Sequence, residues 1–120
     1  MNKLAVMITT PPYSNLSVTA LDYIETALKN GVELIGVFFY QDGVLHADAH
    51  VQIASDEFQA ISHWRKLHQA YKLPLYLCIT AAEKRGISDE QTQNISPIFT
   101  ISGLGELVEL STMADRLVQF

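Results

Sequence analysis

The single cysteine of this chain, Cys78, heads the block Cys78-Ile79-Thr80-Ala81-Ala82-Glu83-Lys84-Arg85-Gly86, where residue type and spacing come closest to chemistry. One cysteine cannot close an intrachain disulfide, and thiolate zinc sites usually need two or more. The sulfur is therefore either packing or a nucleophile. As a thiolate it could take a sulfane sulfur from a donor persulfide, and with no second thiol to resolve the product it would suit a carrier. Lys84 and Arg85 are the nearby cations, and the backbone N–H groups that open the turn at Thr80 and Ala81 are expected to face the sulfur, both favouring an anion. Unpaired cysteine is also among the most buried residue types and packs as a small hydrophobe inside strands. Position and spacing leave both readings open.

The elements that must position Cys78 follow from apolar patterning. Lys3 to Thr9 is an apolar run of strand length, ended by the turn chemistry of Thr10-Pro11-Pro12-Tyr13-Ser14-Asn15. Ser17 is placed to cap a helix carrying Val18, Leu21, Ile24 and Leu28 at three- and four-residue steps, with Asn30-Gly31 as its stop. Glu33 to Tyr40 is apolar on both alternating faces, as expected of a strand covered by helices on both sides. After the turn at Gln41-Asp42-Gly43 and an irregular stretch, Ser55 is placed to cap a second helix that buries Phe58, Ile61, Trp64, Leu67 and Tyr71 and ends near Lys72 and Pro74. Leu75 to Ile79 reads as a third strand with Cys78 at its C-terminal end, followed by a short helical segment from Thr80 stopped by Gly86.

Asp89 to Gln93 reads as a further helical turn and Ile98 to Ile101 as a fourth strand. Ser102 or Gly103 then opens a helix through Leu104, Leu107, Val108 and Met113, and Leu117 to Phe120 reads as a terminal strand. Alternating strands and helices predict an α/β fold, a flavodoxin-like three-layer sandwich with a roughly five-stranded parallel sheet. In such sheets the functional crevice lies beyond the carboxyl ends of the strands. That edge collects Thr10 to Ser14, Tyr40 to Gly43, Cys78 to Thr80 and Ser102-Gly103, so Cys78 falls where ligands are expected.

Composition narrows the function classes. A chain of 120 residues fits one domain, taken as 1–120, and 48% hydrophobic with 18% charged residues is enough apolar surface for a core. The net charge of −5 disfavours direct binding to the phosphate backbone of RNA or DNA. The apolar run at the N-terminus is broken by Thr9-Thr10-Pro11-Pro12 too early for a signal segment, and nothing approaches the roughly 20 apolar residues of a membrane span. A cytoplasmic address without membrane contact is expected.

His46, Asp48 and His50 would share one face if extended and could seat a metal, but no further ligand completes a tetrahedral site, and in a polar loop they read as solvated residues. His63 and His68, five apart on a helix, lie on different faces. Thr9-Thr10-Pro11-Pro12 lacks the glycines of a phosphate loop, and Gly103-Leu104-Gly105 lacks the third glycine of a dinucleotide fingerprint. No metal or other cofactor is expected. Trp64 and Tyr71, at helical spacing, read as core or subunit interface.

Five fragments occur in order along nearly the whole chain: Phe38-Phe39-Tyr40 with Gly43-Val44; Ser55-Asp56-Glu57-Phe58; the Cys78 to Gly86 block; Phe99-Thr100-Ile101-Ser102-Gly103-Leu104-Gly105; and Asp115 to Phe120. Together they resemble the DsrE-type sulfurtransferase family, the cysteine block and the Ser-Gly-Leu-Gly block being the specific ones. The resemblance implies that Cys78 carries a persulfide in a hetero-oligomer with TusB- and TusC-like subunits. It further implies a TusA-like sulfur donor, a TusE-like acceptor and 2-thiouridine at a tRNA wobble position as the eventual product. The alternatives are a non-catalytic interaction subunit of such a complex and a sulfur-oxidation homologue of the same fold.

Overall fold

The computed structural model describes residues 2–87 and 95–120. Its elements alternate as expected: β1 (Lys3–Ile8), α1 (Asn15–Lys29), β2 (Glu33–Phe39), a 3₁₀ segment (Gln41–Ala47), α2 (Ala60–Tyr71), β3 (Leu75–Cys78), α3 (Ile79–Lys84), β4 (Thr100–Ser102), α4 (Leu104–Met113) and β5 (Arg116–Gln119). The five strands form one sheet in the order β4-β3-β2-β1-β5, and each neighbouring pair is parallel. The chain steps outward from β1 to β4 and then crosses back to lay β5 on the other side of β1. Every strand thus delivers its carboxyl end to the same edge. The helical turn read at Asp89 to Gln93 lies outside the described residues.

The two sheet faces are separated by alternation along β2. Phe39 meets Trp64 of α2 with ring centroids 5.0 Å apart, so Val37 and Phe39 look toward the α1–α2 layer. Gly36 looks the other way: a Cβ built there would lie 2.8 Å from the Tyr76 ring and 3.1 Å from Leu110 of α4. The glycine lets the α4 layer and Tyr76 close onto the middle of β2. A helix layer on each face completes the sandwich. The core runs through both layers, with Val6, Ile8, Ile24, Val37, Phe38, Phe39, Trp64 and Leu77 fully buried or nearly so.

Helix starts differ from the sequence reading for identifiable reasons. Ser14, not Ser17, caps α1, accepting a hydrogen bond from the Leu16 N–H, while Ser17 is buried and donates to the Pro11 carbonyl. The helix therefore begins a turn earlier and leaves Val18 exposed on its outer side. Ser55 caps nothing. The Gln59 side-chain amide donates to the carbonyls of Ile53, Ala54 and Glu57, tying that stretch into a loop, so α2 begins only at Ala60. Tyr71, expected inside, is exposed at the C-terminal end of α2, where Lys72 turns into the left-handed region at φ 54°. Strand β4 starts two residues later than expected, at Thr100, and β5 spans Arg116–Gln119 rather than Leu117 to Phe120.

Candidate functional site

Cys78 is the last residue of β3 and the N-cap of α3, with extended backbone at φ −71° and ψ 114°. Strand register pairs it with Ser102 of β4 on one side, and continuation of the Phe39–Leu77 pairing sets Tyr40 beside it on the other. Tyr76 packs over Gly36 toward α4, and alternation puts Cys78 on that same side of the sheet. The thiol has 0% exposure. It thus occupies the expected edge of the sheet, but under cover.

A cavity of about 220 Å³ lies at the same edge of the sheet, lined by Tyr40, Gln41, Thr80, Ala81, Lys84, Arg85 and Leu104 but not by Cys78 itself. The structure therefore brings Thr80, Ala81, Lys84 and Arg85 together around one space, and one turn of α3 accounts for that. Ala81 is buried, whereas Thr80 and Lys84 face outward. Tyr40, Gln41 and Leu104 form the remaining walls and carry no sequence signal beyond their position at strand ends and a helix start.

Arg85 is not free to act as a diffuse charge beside the sulfur. Its Nε donates to Asp42 Oδ1 at 2.9 Å and its Nη1 to the Ala81 carbonyl at 3.0 Å, which fixes the guanidinium at the C-terminal end of α3. Asp42 lies in the turn after β2, where Gln41 takes a left-handed conformation at φ 52°. At Gly43 a Cβ would fall on the Ile8 carbonyl, so glycine lets this turn sit against the end of β1. Asp42 is the site residue that sequence spacing could not supply, being 43 positions from Arg85.

The histidine reading needs correction. His46 is fully buried, not solvated: its Nδ1 accepts from the Trp64 indole N–H at 2.9 Å, and its Nε2 lies 3.0 Å from the Thr10 carbonyl. Because indole can only donate, Nδ1 carries no proton, and Nε2–H donates to Thr10. Burial lowers the pKa of this imidazole to about 4, against a smaller upward pull from the Thr10 hydrogen bond. The ring is a neutral tie between the loop after β1, the 3₁₀ segment and α2. Asp48 accepts from the His50 N–H, and no group of three or more metal-ligating side chains occurs among the described residues. His63 and His68 each hydrogen-bond a local carbonyl, those of Gln59 and Leu73, and are unrelated to the site.

A larger groove of about 710 Å³ lies at the opposite edge of the sheet, where Asn2, Lys3, Asp115 and Arg116 begin their strands against Tyr23 of α1. It holds no thiol, so volume alone would point away from the chemistry. Among the described residues no helix is long and apolar enough to cross a membrane.

Residues 2–120 match the DsrE/DsrF-like family. Two curated proteins named Sulfurtransferase TusD, from Klebsiella pneumoniae and Salmonella paratyphi B, are 38% and 39% identical to the chain, each over 98% of it and 99% of their own length. The crystal structure of the E. coli ychN protein superposes with a TM-score of 0.81 at 23% identity, covering all of both chains. A protein of unknown function from Methanobacterium thermoautotrophicum superposes at 0.71 with 13% identity, again over both whole chains. These two likenesses concern the fold and agree with the parallel sandwich. Matched along nearly its entire length by the family and by curated sulfurtransferases, the chain belongs to the DsrE/DsrF-like family, among its sulfurtransferase members.

Proposed function

We propose that this chain, a single domain over 1–120, relays sulfur as a persulfide on Cys78. The observation that carries the reading is the placement of the only cysteine at the carboxyl end of β3, on the sheet edge that also holds a cavity walled by Thr80, Ala81, Lys84 and Arg85, in a chain whose relatives are named sulfurtransferases. The Cys78 thiolate attacks the outer sulfur of a donor persulfide. A new S–S bond forms at Cys78, the donor S–S bond breaks, and the donor leaves as a thiolate, so no external oxidant or reductant is consumed. An acceptor thiol then takes the outer sulfur by the same exchange. The N–H groups of Thr80 and Ala81 stabilise the anion, and Lys84 steers an acidic partner, with Arg85 contributing less because Asp42 already pairs its charge.

In this reading a TusA-like protein donates, a TusE-like protein accepts, and TusB- and TusC-like subunits complete a cytoplasmic hetero-oligomer whose product is 2-thiouridine in tRNA. The acidic chain, at net charge −5, leaves RNA contact to a partner. In this reading the partner surface lies on the α4 side of the sheet, where Leu104 and Val108, one turn apart on α4, are exposed, as are Met113 at the end of α4 and Leu117 of β5. A sulfur-oxidation pathway would use the same exchange with a different acceptor.

Incubation with a persulfide donor followed by mass spectrometry is expected to add the mass of one sulfur at Cys78. A Cys78→Ser protein that gains sulfur equally well would sink the proposal. The burial of Cys78 favours a second reading, in which the chain is a non-catalytic subunit and the thiol is packing. A thiol that stays unmodified in the assembled complex, by alkylating agent and persulfide alike, would select that reading.

A further inference from the structure

A thiol with no exposure cannot meet an incoming sulfur unless a wall moves, since reacting atoms must come within about 3–3.5 Å. At the same edge of the sheet, the 220 Å³ cavity lies between the turn after β2 and α3, lined by Tyr40, which neighbours Cys78 across the strands, and by Thr80, two residues on. Two features of that turn bear on how its wall is held. Gln41 is a non-glycine residue at φ 52°, a conformation that persists only when surrounding contacts hold it. Gly43, two residues on, is seated against the Ile8 carbonyl, and Tyr40 N–H donates to that same carbonyl at 2.9 Å. The segment from Tyr40 to Gly43 is thus pinned to β1 at both ends, and Gln41-Asp42 bridges the gap between the pins.

Beside that cavity, which Gln41 and Arg85 both line, the bridge is clasped to the end of α3 by Asp42 Oδ1 and Arg85 Nε, and Arg85 is held in turn by the Ala81 carbonyl. We infer that Asp42 is a positioning residue for sulfur loading: through its ion pair with Arg85 it fastens the turn after β2 to α3 and sets how readily the Cys78 thiol is uncovered. This rests on the reading of Cys78 as the sulfur carrier. The Asp42 side chain is 59% exposed, so the pair is of the weak, solvent-screened kind. A weak clasp opens often, and losing it changes rates by severalfold, not by orders of magnitude.

The test is the rate at which neutral iodoacetamide modifies Cys78 in the full chain, at low and high salt, for the wild type and for Asp42→Asn, Asp42→Glu and Arg85→Lys. Asp42→Asn and Arg85→Lys are expected to react about two- to fivefold faster at low salt, the scale of a lost exposed ion pair. Salt should accelerate the wild type toward the Asp42→Asn rate and leave Asp42→Asn unchanged, while Asp42→Glu restores slow, salt-sensitive labelling. Equal thermal unfolding midpoints would accompany this pattern. Rates and salt responses that are the same in all four proteins overturn the clasp. Loading from glutathione persulfide, followed by mass, separates the two ideas. Labelling in the expected order with no protein gaining sulfur leaves the clasp and removes the carrier, whereas sulfur gain at one common rate with uniform labelling does the reverse.

Discussion

Among the described residues, one face of the sheet is covered by α1, α2 and the 3₁₀ segment with α3 packed against it, and the other carries α4, and the two are finished with different materials. On the first, Phe39 is met edge-on by Trp64 and Phe99, each with centroids 5.0 Å away, and the His46 ring lies 5.4 Å from the same phenyl group. These rings are buried, and the Trp64 N–H is satisfied by His46. On the second, Gly36 lets Tyr76 and Leu110 approach, but Val108 and Met113 of α4 remain 63% and 59% exposed. There the Tyr76 hydroxyl has its pKa raised, first by burial and then by the charges of Glu106 and Glu109. The contrast gives the first face the larger share of stability and, on the proposed function, leaves the second for association. Cys78 belongs to the second by alternation, so the thiol sits on the side of the sheet with surface to spare.

The largest test of that division is Trp64→Ala, which removes the centre of the sealed face and should cost about 3–5 kcal/mol in denaturant unfolding. A loss near that of an ordinary surface change would break the comparison. Acid should act on the same face. His46 is neutral when folded, with a pKa of about 4, and the unfolded chain binds the proton near the ordinary value of 6.5. Its contribution is therefore complete above pH 6.5 and is lost as pH falls toward 4, on the order of 3 kcal/mol in all. Unfolding free energies measured through this window should fall, and a His46→Phe protein should lack that component of the slope. The smallest effect on stability is expected from Val108→Ser with Met113→Ser, within about 0.5 kcal/mol per site. The same pair should weaken copurification with partner subunits, and full retention of partners would move the association surface elsewhere.

Much of this arrangement is legible in the residues themselves. Apolar runs such as Leu4 to Ile8 and Leu34 to Phe39 identify the strands because both their faces are covered, and Cys78 is placed at a strand end by the short run behind Pro74. The parallel sheet follows from alternation of elements. Caps are less legible because several polar residues compete near each helix start, and the winner depends on where the preceding loop runs: Ser17 is taken by the Pro11 carbonyl, and Gln59 delays α2. His46 sits among loop-like neighbours, and only its tertiary partners Trp64 and Thr10 make it a core residue. The Asp42–Arg85 pair is invisible for the same reason, since it is made where the turn after β2 meets the C-terminal end of α3.

The zero exposure of Cys78 also bears on the chemical lifetime of the sulfur. Oxidation of cysteine to sulfenic and then irreversible sulfinic and sulfonic acids tracks access as well as ionisation. A covered thiol is out of reach of peroxide and of the glutathione pool for as long as the cover stays down. On the proposed function, a cover that opens only for loading would keep the one thiol of the chain reduced without spending a second cysteine on repair.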